Sequence, residues 1–187
     1  MIGNGPLGGF RVAGRGVAEI RVSANNVRRI LEIGDTPQDI DIGLLLDRLS
    51  VKYSITYDVL DPDEMPHEDV EACWDPESMT MHIRSDVFEK ACWDDPRARF
   101  TIMHELGHGL LGHRRTINRS GIDREPKVYE DSEWQANQFA AELLMPLDVI
   151  RNRKLDTATK IEMHFRVSNQ AATLRAKQLE KRGELPC

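Results

Sequence analysis

The sequence predicts an α+β domain in which helices, a small sheet and further helices follow one another along 187 residues. Three observations lead there. Two short stretches alternate apolar and polar residues with the period of a strand, and both fall between residues 51 and 84. Several longer stretches on either side repeat their apolar residues with the period of a helix. Hydrophobic residues make up 40% and charged residues 30%, enough to bury a core and keep a solvated exterior.

The first stretch, "MIGNGPLGGFRVAGRG", is broken by glycine and proline and lacks the apolar core of a signal peptide. Residues 1–20 are therefore expected as a flexible lead-in and residues 21–187 as the domain. Ser23 is expected to cap a first helix carrying Val27, Ile30 and Leu31. In "DTPQDIDIGLLLDRLS", Thr36 reads as the N-cap, Pro37 as the first helical residue, and Ile40, Leu44 and Leu45 as the buried stripe. "VKYSITYDV" then alternates, with Val51, Tyr53, Ile55, Tyr57 and Val59 on one face of a half-buried strand. The acidic, proline-containing stretch 61–77 reads as a loop. "MTMHIR" is the second strand, with Met79, Met81 and Ile83 on one face. "ACWD" occurs at 72–75 and again at 91–94, but the flanks do not match, so it is a coincidence rather than a repeat. Asp95 and Pro96 open a histidine-bearing helix. The irregular "RTINRSGIDREPK" leads to a second helical pattern, "SEWQANQFAAELLMP", and about 157–182 is helical again.

No apolar run approaches the roughly 20 residues needed to cross a bilayer. Cys73, Cys92 and Cys187 are odd in number and lack close metal-ligand spacing, which points to reduced thiols in a cytoplasm. The net charge of -6 is uneven. Residues 58–77 hold many carboxylates, among them Asp61, Asp63, Glu64 and Glu68, and no Lys or Arg, whereas residues 151–182 hold nine Lys and Arg against three acids. The acidic stretch is expected to attract a basic partner, and the acidic balance of the whole argues against direct nucleic-acid binding. "FRVSNQAATLRAKQL" reads like part of a helix-turn-helix, but that charge balance favours a packing or partner-binding helix pair.

The chemistry sits in "RARFTIMHELGHGLLGH". His104 and His108 are four apart, about 40° from each other around a helix, so both imidazoles leave one side about a turn apart. That is the ligand geometry of an HExxH zinc site, with Glu105 placed to act as a base towards water. Ile102, Met103, Leu106 and Leu110 fall on the other side. Gly107 and Gly109 each cost about 1 kcal/mol against alanine in a helix interior, which implies close packing there. His113 is a poor third ligand, because a continuing helix would point it about 180° from His104. In the next helix Glu133 is the better candidate. Asn137, Ala140 and Leu144 lie within about 40° of it, and Gln135, Gln138 and Glu142 fall on the opposite, polar face, so Glu142 is expected to point away. Ser132 with Gln135 would form a capping box, and Glu130 and Asp131 remain rivals to Glu133. Two histidines and a glutamate leave a fourth position open, as a catalytic zinc requires.

"FTIMHELGHGLLGH" followed by "EWQANQFAAELLMP" resembles the ImmA/IrrE family of zinc metallopeptidases, and "PQDIDIGLLLDRLSVKYSI" and "FRVSNQAATLRAKQL" resemble its flanking segments. The resemblance covers about residues 22–179. It implies a zincin-like domain with a gluzincin-like site: His104, His108 and Glu133 as zinc ligands and Glu105 as general base. It also implies a protein substrate, a helix-turn-helix repressor of a phage, mobile element or stress regulon. The rival is a non-catalytic, metal-stabilised binder that sequesters such a regulator. An extended substrate is expected to add as a strand along "MTMHIR", with Tyr129, His164 and His82 as candidates for stabilising the oxyanion.

Overall fold

Helix α1 (Val17–Ile30) starts six residues before the cap expected at Ser23. Gly16 precedes it, and the Gly16 N–H donates to the Glu19 carboxylate at 2.8 Å. Ser23 lies inside the helix and donates its hydroxyl to the Glu19 carbonyl at 3.1 Å, a local bond typical of serine in helices. The computed structural model describes residues 9–35, 40–67, 69–114, 125 and 127–186. Within it, residues 9–16 are docked rather than loose. Ser132 N–H donates to the Phe10 carbonyl and Val12 N–H to the Glu130 carbonyl, and Arg11 forms a bridge with Asp131. The glycines that suggested flexibility allow a close approach instead. A Cβ on Gly9 would lie 2.3 Å from Ser132 Oγ and 2.7 Å from Glu133 Cγ.

Helix α2 (Ile42–Tyr53) is capped by Asp41, whose carboxylate accepts the Leu44 N–H. The expected cap at Thr36 and start at Pro37 lie outside the described residues. Ile42, Leu45, Leu46 and Leu49 are buried, and Leu44 is exposed. The helix continues through residues 51–53, where a strand was expected. Spacings of three and four from Ile42 through Leu45 and Leu49 to Tyr53 sustain the helical period and override five residues of alternation. Val51 is consequently 82% exposed. Ser54, at φ 55°, ends the helix, and only Thr56–Leu60 forms β1.

The acidic stretch contains a strand, β2 (Ala72–Asp75), followed by β3 (Thr80–Arg84). The strand order is β1-β3-β2, with β3 parallel to β1 and antiparallel to β2. Met81 and Ile83 are fully buried, while Met79 sits in the preceding turn with φ 57°. The same tetrapeptide "ACWD" that makes β2 recurs where α3 (Ser85–Cys92) ends, and there its tryptophan, Trp93, is 81% exposed.

Helix α4 (Pro96–Leu110) opens as expected. Pro96 occupies the first turn and the Asp95 carboxylate accepts the Ala98 N–H at 2.8 Å. After a 3₁₀ turn (Val128–Glu130) comes α5 (Ser132–Leu144), capped by Asp131, which accepts the Glu133 and Trp134 N–H groups. Ser132 is therefore not the cap; its hydroxyl accepts the Phe10 N–H. Helices α6 (Leu147–Asn152), α7 (Ala158–Phe165) and α8 (Asn169–Lys181) complete an α+β domain, with none of the described helices long and apolar enough to cross a membrane.

Helix α5 runs through the middle, packed on α4 and on α1. Its polar side is therefore buried rather than solvated. Gln135 and Glu142 have no exposed surface, and Gln138 has 3%. Glu142 does not point to water: it takes two hydrogen bonds from Arg175 of α8, one from Gln138 and one from Arg21 of α1.

Candidate metal centre

Helix geometry sets His104 and His108 on one side of α4, with Ile102, Met103 and Leu106 fully buried on the other. The two glycines make the neighbouring contacts. A Cβ on Gly107 would lie 3.1 Å from Ala136 Cα and 3.2 Å from its carbonyl oxygen, so the backbones of α4 and α5 touch there. The small residue that meets Gly107 at the crossing is Ala136. A Cβ on Gly109 would meet the Trp74 ring at 3.1 Å, which seats β2 on the same helix.

That crossing brings Glu133, near the start of α5, over the two imidazoles. Glu133 Oε2 is 3.0 Å from His104 Nε2, Glu133 Oε1 is 3.3 Å from His108 Nε2, and the two Nε2 atoms are 3.1 Å apart. His104, His108 and Glu133 form a group able to hold a metal ion, with ligand atoms all within 4.8 Å of one another. The spacing fits zinc: bonds of about 2.0–2.1 Å in a tetrahedron put ligand atoms about 3.3 Å apart. The two imidazoles hold the Glu133 carboxyl far below the usual carboxylate range. The rivals are engaged elsewhere. Glu130 accepts from Arg11 and the Lys127 N–H, and Asp131 caps α5.

The far side of each imidazole is also held. His104 Nδ1 lies 3.1 Å from Asn137 Oδ1, one turn along α5 from Glu133. His113 does not point away from the site. Helix α4 stops, Gly112 turns the chain at φ 66°, and His113 folds back to place its Nδ1 3.1 Å from His108 Nδ1. Arg15 helps close this end by donating to the Leu111 carbonyl. His113 is 2% exposed, and burial, with His108 and Arg15 nearby, pushes its pKa down to about 4. Its Nε2 meets Gln135 Oε1 at 3.0 Å. Neither His113 nor Gln135 was legible as part of the site, because their spacing to the HExxH residues carries no helical signal.

Glu105 lies beside the group. Its Oε2 accepts the Trp74 N–H at 3.0 Å, and its Oε1 is 3.9 Å from His104 Nε2. Burial raises its pKa against the pull of His104 and His108. It faces a cleft of about 650 Å³ lined by Phe10, Trp74, His108, Arg114 and Glu133 among others. Phe10 and Arg114 come from segments without any recognisable pattern. Strand β3, expected to receive a substrate strand, is central and paired on both sides. The edge that borders the cleft is β2. The three oxyanion candidates are absent from the cleft lining: His164 bonds the Asp35 carbonyl, His82 sits 3.6 Å from Asp58, and the Tyr129 ring packs on Gly14.

The family of the IrrE N-terminal-like domain matches residues 65–177, from the acidic stretch through β2, β3, α4 and α5 into α8. The chain belongs to the ImmA/IrrE peptidase family. No curated protein matches it. The ImmA/IrrE match contains Glu105, the three residues of the metal-type group and His113, while α1 and the strap of residues 9–16 precede it. As an ImmA/IrrE member the chain is a protease, and the fold around the match is the α+β arrangement expected of that domain.

Proposed function

We propose that this ImmA/IrrE protease is a zinc-dependent endopeptidase of the cytoplasm that cleaves a specific helix-turn-helix repressor of a phage, mobile element or stress regulon. His104, His108 and Glu133 hold the zinc, and Glu105 is the general base. The observation that carries this reading is the position of Glu105, fixed by the Trp74 N–H at the cleft wall beside the group. A domain that uses metal only for stability has no need of a carboxylate there.

Zinc bound at the group supplies a Lewis acid that polarises the scissile carbonyl and the attacking water. Glu105 takes a proton from that water at Oε1 and returns it to the leaving amine, while the Trp74 N–H keeps Oε2 in place. A raised carboxyl pKa suits a group that must both accept and give up a proton near neutrality. An extended peptide adds along the outer edge of β2, where main-chain hydrogen bonds give affinity with little sequence preference. Selectivity then comes from docking the folded partner, and the acidic stretch flanking β2 complements the basic face a repressor turns to DNA.

The test is incubation of the purified, zinc-loaded chain with its co-purified regulator. Cleavage by the wild type, and zinc and partner binding without cleavage by Glu105→Gln, is the expected pair of results. A regulator left intact while zinc stays bound favours a sequestering binder. Zinc should be lost in His104→Ala and His108→Ala, and full zinc content in His108→Ala would overturn the ligand assignment.

A further inference from the structure

Gln135 and His113 form a chain that ends on His108, and its hydrogen-bond directions are fixed from the outer end. The Gln135 Nε2 atom faces two carbonyl oxygens, Ala13 at 2.8 Å and Tyr129 at 2.7 Å. Carbonyls only accept, so this end is the amide NH₂ and Oε1 is the end that meets His113. An amide oxygen also only accepts, so His113 Nε2 must carry a proton. In a neutral imidazole Nδ1 is then bare, and it lies 3.1 Å from His108 Nδ1. His108 must supply the proton of that contact from Nδ1, and its Nε2 is the nitrogen turned to His104 and Glu133. Gln135 and His113 are essentially enclosed, at 0% and 2% exposure, so water does not compete for these contacts.

We infer that Gln135 and His113 are positioning residues that lock His108 into the Nδ1–H tautomer, so that its Nε2 is preformed as a metal ligand. The outer anchor is the strap of residues 9–16. The Ala13 carbonyl belongs to it, and the strap is itself hydrogen-bonded to residues 129–132. The strap therefore supports the metal-type group through three links: Ala13 to Gln135, Gln135 to His113, and His113 to His108. On the other imidazole the corresponding partner is the single, exposed Asn137. This inference rests on His108 being a ligand, but its readout is separate from peptidase activity.

The experiment is a long-range proton–nitrogen correlation spectrum of the full chain labelled with ¹⁵N-histidine, recorded without metal. The expected result is a proton on Nδ1 of His108 and on Nε2 of His113. A His108 that carries its proton on Nε2 with Nδ1 bare would overturn the inference, and this measurement requires no variant. His113→Phe keeps a ring in the space and removes the acceptor. It should release His108 into a mixture of tautomers and weaken zinc binding about 10–100-fold in chelator competition. A folded His113→Phe chain with unchanged His108 tautomer and zinc affinity would also overturn it. Correct tautomers and zinc binding in a chain that cleaves nothing would count against the peptidase reading and leave this one standing.

Discussion

Glu142 and Arg175, both with fully buried side chains, meet in two parallel hydrogen bonds of 2.6 and 2.8 Å between α5 and α8. Removing one member leaves a charge in the core without its partner, which costs about 3–5 kcal/mol. Arg175→Met should lose that amount in denaturant unfolding, and the double variant with Glu142→Leu should recover part of it. A single variant within 1 kcal/mol of wild type would show that Arg21 suffices for Glu142. Deleting the chain after Asp156 removes Arg175 as well, so such a truncation tests folding before it tests partner docking.

Acid should weaken the same corner. Arg21, with Arg182, holds the Glu184 carboxyl down to about 2 from the ordinary 4.5. A folded-state value below the unfolded one means that the stabilisation is complete above pH 4.5 and is lost as the pH falls from 4.5 towards 2. Wild type and Glu184→Gln should therefore differ in unfolding free energy at pH 6 and converge near pH 2. A difference that stays constant across that range would remove Glu184 from the account.

Two opposing terms meet at Gly107. Alanine gains about 1 kcal/mol of helix propensity, whereas overpacking costs about 1–3 kcal/mol. The contacts at 3.1 and 3.2 Å are to the Ala136 backbone, which cannot rotate away, so overpacking should win. Gly107→Ala should melt earlier and bind zinc more weakly, because it separates Glu133 from the histidines. Gly109→Ala has a side chain, the Trp74 ring, as its nearest neighbour rather than backbone and should be milder. Equal melting temperatures for Gly107→Ala and wild type would contradict this.

Asn137→Ala removes the partner of His104 Nδ1. Asn137 is exposed and water can replace it, so the loss of zinc affinity should lie near the low end of the usual effect, about tenfold. Titration against a zinc chelator checks this, and a loss beyond a hundredfold would mean that Asn137 does more than orient the ring.

Neutralising Asp61, Asp63, Glu64 and Glu68 together should slow association with the repressor and flatten its dependence on salt. Stopped-flow binding at low ionic strength measures both. An unchanged association rate would reduce the acidic stretch to a solvated surface.

The sequence alone determined what rests on local period and spacing. The four-residue step from His104 to His108, the Asp95–Pro96 start of α4 and the 3.6-residue stripe of α5 are set within a turn or two of chain, so they survive any tertiary context. The step from Glu133 to Asn137 is legible in the same way. Tertiary structure decided what depends on who covers a surface. The polar side of α5 reads as solvated until α1, α8 and the strap enclose it, which turns Glu142 inward and Gln135 into a support for His113. "ACWD" became a strand where β3 offered it hydrogen-bond partners and a helix end where α3 did not. His113 entered the site only because Gly112 ended the helical period and turned the chain back, and a periodic reading has no means of seeing past the point where the period stops.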